Sequence, residues 1–141
     1  MGKAVIAIHG GAGAISRSPA RRQKKNNNTS PRFPTSSKAW AVLESGASTL
    51  DAVTEAVRQL EECPLFNAGI GAVFTSAETH ELDACVMDGY SLQAGAVAGV
   101  KHLRNPVLAA RSVLENSPHV MLIGEGAEAL RSRRDSHRTG E

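Results

Sequence analysis

The chain has 141 residues, with 16 Lys plus Arg against 14 Asp plus Glu, for a formal net charge of +2. That length suits one domain, since a single core organises about 100–150 residues. Aromatic content is only 4%, so the core must be built from Ala, Val, Leu and Ile, and no apolar run reaches the ~18–20 residues that cross a bilayer, so no membrane partner is expected.

In chain order, Lys3 to His9 contains Ala-Val-Ile-Ala-Ile, a continuous apolar run of the kind found in a central strand covered on both faces. It has no cleavage site and reads as a first strand, not a secretory leader. Ile6 stands where a myristoylation signal requires Ser or Thr. A glycine-rich turn follows, His9-Gly10-Gly11-Ala12-Gly13. Ala39 to Glu44 has a short helical pattern that Gly46 stops. Ser48 or Thr49 caps a second helix, in which Leu50, Val53, Val57 and Leu60 recur at helical spacing until Pro64. Leu65 to Ile70 is a loop. Ala72 to Thr75, Leu82 to Met87 and Gln93 to Val100 read as strands, with a turn at Asp88-Gly89. Asn105-Pro106 opens a helix in the favoured order of cap then proline, and Val107 to Leu114 continues it. Val120 to Ile123 is a last strand, and Gly124-Glu125-Gly126 leads into a helix stopping near Leu130. The fold class is a layered α/β body.

The mean charge conceals a split. Residues 17–38 hold seven basic side chains, no acidic one and a single sizeable apolar residue, Phe33; residues 131–141 hold four arginines against Asp135 and Glu141. The two pieces carry +9 and the rest of the chain −7. Such segments bury too little surface to offset their ordering entropy, and both are expected to be disordered.

Chemistry is sparse. Gly11-Ala12-Gly13 supplies two glycines of a dinucleotide fingerprint, but the third position is Ser16 and Gly13 to Lys38 contains no carboxylate. A tight turn is the better reading, and its N–H groups can closely approach a reacting centre. His9, His80, His102, His119 and His137 lack zinc spacing, and Cys63 and Cys85 stand 22 positions apart. The default for these thiols is buried, inert and reduced, in a cytoplasm. Asp83 and Asp88 point to opposite faces and read as strand-edge or turn residues. Leu60 to Gly71 is the most particular stretch: its main-chain carbonyls either converge on a hard monovalent cation or are satisfied within an ordinary loop.

The glycine turn after an apolar strand, Leu60 to Phe74, Leu82 to Gly89, Ala94 to Ala98, Asn105-Pro106 and Ser117-Pro118-His119 together resemble, in order, the plant-type L-asparaginase and isoaspartyl aminopeptidase family, bacterial isoaspartyl peptidases above all. The resemblance covers Met1 to Arg17 and about Ala41 to Ala129. It implies a partial αββα sandwich of the N-terminal-nucleophile hydrolases, lacking the β-subunit half. In that family a precursor cuts itself before a threonine, which then attacks asparagine or a β-aspartyl dipeptide with its own α-amine as base. No Gly-Thr-Val occurs in this sequence, so no catalytic residue is assigned and the chain alone is expected to be inactive.

What the resemblance carries over is supportive. Main-chain oxygens of Leu60, Glu61, Cys63, Phe66, Ala68 and Ile70 match the family's sodium loop, a structural ion with no organic cofactor beside it. Asn67 matches a residue beside the active centre, and Gly10 and Gly11 match a turn that influences maturation. The implied domains are an incomplete α-subunit region, 1–130, interrupted by the basic segment 18–38, and a foreign tail, 131–141. Loss of pattern, its return, and loss again is what reading-frame shifts produce, as in a truncated pseudogene product. The implied partner is a separately supplied β-subunit half, without which the family's (αβ)2 assembly is not expected. The alternative is a binding protein that uses residues 17–38 on nucleic acid, but with one aromatic residue and no helical face this segment makes a poor nucleic-acid partner.

Overall fold

The computed structural model describes residues 4–11 and 34–130. The basic segment 18–38 lies outside these except for residues 34–38, and the tail 131–141 lies outside altogether. Helix α1 spans Pro34–Glu44 and α2 spans Thr49–Glu61. After a single 3-10 turn at Gly69–Gly71 come β1 (Leu82–Met87), β2 (Ala94–Val100), α3 (Pro106–Asn116) and β3 (Met121–Ile123). Residues 124–130 form a further helix, α4.

Helix α1 begins earlier than the Ala39 expected, which removes residues 34–38 from the segment read as disordered. Proline is tolerated at a first helical position, where its missing N–H has no partner to lose. Thr35 and Ala39 then bury themselves, at 4% and 0% exposure. Gly46, with φ of +84°, turns the chain into α2. There Ser48 and Asp51 form a reciprocal capping box, the Ser48 hydroxyl accepting from the Asp51 N–H at 3.1 Å and the Asp51 carboxylate accepting from the Ser48 N–H at 3.0 Å.

The sheet has the order β1-β2-β3, with β1 and β2 antiparallel and β2 and β3 parallel. The hairpin turn is tied by Asp88, whose carboxylate accepts from the N–H of Tyr90 and of Ser91. Register slips once, between Leu82 and Ala84, and there Asp83 accepts the Gly99 N–H at 2.8 Å. A parallel pair needs a crossover, which α3 provides while covering one sheet face. Leu82, Val86, Val97, Val100, Val107, Val113 and Ala127 are the body of the core. Gly95 lets α3 come close, since a Cβ there would strike the Ala110 carbonyl and Leu114.

Two expected strands are not strands. Residues 4–11 have no regular structure and, apart from half-buried Ile6, are exposed, Val5 by 84%. An apolar strand of that kind depends on neighbours at its edges and both faces, and among the described residues no strand pairs with it. Residues 72–75 fail for another reason, because their backbone groups are taken locally. Val73 N–H donates to Asn67 Oδ1, and Thr75 N–H donates to the Thr79 carbonyl.

The second face of the sheet is open. Alternation along β1 puts Asp83, Cys85 and Met87 opposite the α3 side, and Met121 and Ile123 are likewise exposed, by 52% and 69%. No described helix is long and apolar enough to cross a membrane.

Candidate functional site

The loop that leaves α2 is held almost entirely by its own backbone. Cys63 N–H donates to the Leu60 carbonyl at 3.1 Å, Phe66 N–H to Cys63 at 3.2 Å, Ala68 N–H to Phe66 at 2.9 Å, and Gly71 N–H to Ala68 at 3.1 Å. Four of the six carbonyls singled out by sequence thus already accept one hydrogen bond, and a carbonyl has a second lone pair to offer. The carbonyls of Glu61 and Phe66 lie over Gly69 and Gly71, so close that a Cβ at either glycine would strike them. Gly69 has φ of +53° as well, a left-handed conformation suited to glycine. The two glycines thus let carbonyl oxygens crowd into the turn, and such neutral hard oxygens are the donor type a monovalent cation of the sodium kind takes.

The structure brings the two predicted supporting segments together. Gly10 lies against the Phe66 ring, where a Cβ would come within 2.9 Å of Cε1. Gly11, with φ of +95°, donates its N–H to His9 Nδ1 at 3.3 Å. Asn67 is exposed, and its Oδ1 closes the loop by accepting the Val73 N–H at 2.9 Å. Ile70, whose carbonyl belongs to the expected set, is 54% exposed.

Sequence reasoning missed the side chains of Glu61 and Glu62. Glu61 is 2% exposed. Its Oε1 accepts the Val107 N–H of the first turn of α3 at 2.9 Å, a capping role that Asn105 does not fill through its own side chain. Burial pushes the carboxyl up to about 7, against the opposing pull of the Val107 N–H. Glu62 faces the other way. It takes a two-pronged hydrogen bond from Arg104, at 2.9 and 2.7 Å, and one from Asn105 Nδ2 at 3.1 Å. These bonds, Arg104 first, pull it down to about 2. Adjacent residues on a helix point about 100° apart. That rotation puts one carboxylate inside and one outside, a distinction invisible until α3 is docked.

Beside the loop opens a cleft of about 390 Å³ with Ile70, His80, His102 and Arg104 among its walls. Its Lys and Arg are matched by carboxylates, Lys101 by Glu81 at 3.2 Å and Arg104 by Glu62 at 2.7 Å, and His102 Nδ1 lies 2.9 Å from Glu128 Oε2. It therefore has no surplus of positive charge for an anion. Cys63 and Cys85 are free thiols, Cys85 exposed on the open sheet face. Among the described residues no three His, Cys, Asp or Glu side chains gather as a metal cluster.

The family model described as "Asparaginase" matches residues 2–140, running through the basic segment and into the tail where the motifs lapse. The isoaspartyl peptidase of Escherichia coli K12 is 70% identical over 128 residues, which is 91% of this chain and 40% of that protein. The isoaspartyl peptidase of Salmonella typhimurium is 62% identical over 128 residues, 91% of this chain and 41% of its own length. The plant-type L-asparaginase of Pyrococcus furiosus is 48% identical over 122 residues, 86% and 38% respectively. The chain thus spans about 40% of the length of these curated relatives.

Proposed function

The chain belongs to the asparaginase family, and from that premise we propose that it is the α-subunit part of an isoaspartyl peptidase or L-asparaginase. The reaction is hydrolysis of the asparagine side-chain amide or of a β-aspartyl dipeptide, by an N-terminal threonine that lies outside this chain. What carries the reading is the identity to isoaspartyl peptidases over nine-tenths of the chain. The open apolar sheet face supports it, because a second sheet laid there would complete an αββα sandwich.

In this reading the chain positions groups and does no bond-breaking of its own. The Gly10-Gly11 turn, lying on Phe66, shapes the wall at which the precursor matures. Asn67 is held beside the reacting centre by its bond to Val73. A sodium ion on the main-chain oxygens of Leu60, Glu61, Cys63, Phe66, Ala68 and Ile70 would supply fixed positive charge that stiffens the loop. The free thiols Cys63 and Cys85 fit a cytoplasmic setting.

The test is co-expression with the β-subunit of an isoaspartyl peptidase and an assay of β-aspartyl dipeptide hydrolysis. Activity is expected from the pair and not from this chain alone. Hydrolysis by the chain alone, or none from a pair that associates, overturns the reading.

A further inference from the structure

Among the described residues, Glu61 Oε2 is the one buried side-chain oxygen or nitrogen without a hydrogen-bond partner. Its sister atom is committed to the Val107 N–H. A carboxylate inside a protein is costly unless an opposite charge meets it. The nearby guanidinium groups are engaged elsewhere, Arg58 by Glu55 at 2.7 Å and Arg104 by Glu62 at 2.7 Å. Among the described residues Glu61 therefore forms no ion pair, and Asn105 and Arg58 offset its burial only in part.

The backbone of the same residue suggests what balances it. The Glu61 carbonyl lies over Gly69, within the loop whose carbonyls are read above as a sodium site. Covalent geometry keeps a glutamate carboxylate within about 6 Å of its own carbonyl oxygen. At that range, in a water-poor interior, a cation and a carboxylate attract strongly. Neutral carbonyls alone would leave a cation there with its charge uncompensated.

We propose that the Glu61 carboxylate is the counter-charge of a monovalent cation held by the carbonyl loop 60–70, so that ion and carboxylate stabilise each other across the joint between α2 and α3. The proposal rests on the reading of this loop as a sodium site and adds a side chain to it. Occupancy of the loop and docking of α3 become one equilibrium, because Glu61 touches both.

The test is the thermal unfolding midpoint of the full chain in sodium chloride against choline chloride at equal ionic strength, for the wild type, Glu61→Gln and Glu62→Gln. Sodium is expected to raise the wild-type midpoint. Glu61→Gln keeps the acceptor for Val107 and loses the charge. In choline it should be at least as stable as the wild type, and it should need about tenfold more sodium for the same rise. Glu62→Gln should respond to sodium as the wild type does. If sodium does not raise the wild-type midpoint, the loop is no sodium site and the proposal falls with it. If Glu61→Gln responds as the wild type does, the site stands and the counter-charge is overturned. Instability or failure to fold of Glu61→Gln in choline also overturns it, since removing an unbalanced charge should not destabilise. So does a Glu62→Gln variant that loses the sodium response equally, because the effect is then not particular to Glu61.

Discussion

Asp83, Asp88 and Glu128 are carboxylates whose oxygens accept backbone N–H groups, each closing a place where the chain changes direction. Glu128 shows the effect most clearly. One oxygen accepts the N–H of Lys101 at 2.6 Å and of His102 at 3.0 Å, and the other meets His102 Nδ1 at 2.9 Å. The Lys101 and His102 N–H groups hold the Glu128 carboxyl down, at about 2 against an ordinary 4.5. Between these values the unfolded chain binds a proton that the folded chain refuses, so stability rises with pH across that window. The contribution is complete above about 4.5 and lost as pH falls toward 2. In Glu128→Gln the acid-side fall in stability should be shallower than in the wild type, measured by urea unfolding from pH 5 to pH 2.5; equal slopes would remove Glu128 from the account. Asp88 could be read from sequence as a turn residue because its work is local, whereas Asp83 reaches Gly99 across the hairpin, 16 residues away. The partner of Glu128 is 26 residues distant, and no spacing announces it. Glu61 is opaque for the same reason, since its burial depends on α3 arriving 46 residues later.

Element by element, what was legible follows the range of the forces involved. The capping residue Ser48, the stop at Gly46 and the Asn105-Pro106 start are properties of a few neighbouring residues, and each lies where the sequence places it. Strands β1 and β2 are legible because the turn that pairs them is local. Residues 4–9 and 72–75 have strand composition, but their pairing partners are decided by the rest of the molecule. The contact between β2 and α3 depends on Gly95 with equal specificity. A methyl group there meets backbone, which cannot swing aside as a side chain can. Gly95→Ala should therefore destabilise by about 1–3 kcal/mol, the usual cost of overpacking. Denaturant unfolding reads it directly, and a change within about 0.5 kcal/mol, as at an open surface site, would show that α3 has room to retreat.

Over the whole molecule, α3 and α4 cover one face of the sheet and nothing described covers the other. The loop 60–71 and the Gly10-Gly11 segment meet through Phe66, so the residues proposed to support the reaction are gathered at one place. That gathering was legible only through the resemblance, because carbonyl oxygens carry no signature in a residue string.

The open face also carries two thioethers, Met87 and Met121, exposed by 57% and 52%. Peroxide converts such side chains to polar sulfoxides at a rate set largely by access. In the isolated chain both should oxidise readily, and in a complex with the complementing half both should be protected, as peptide mass spectrometry after timed peroxide exposure would show. Equal rates would mean that the second half docks somewhere else. On the proposed reading, a chain left waiting for a complementing half would then have a limited lifetime, since each sulfoxide makes the open sheet face more like water and less fit to be buried.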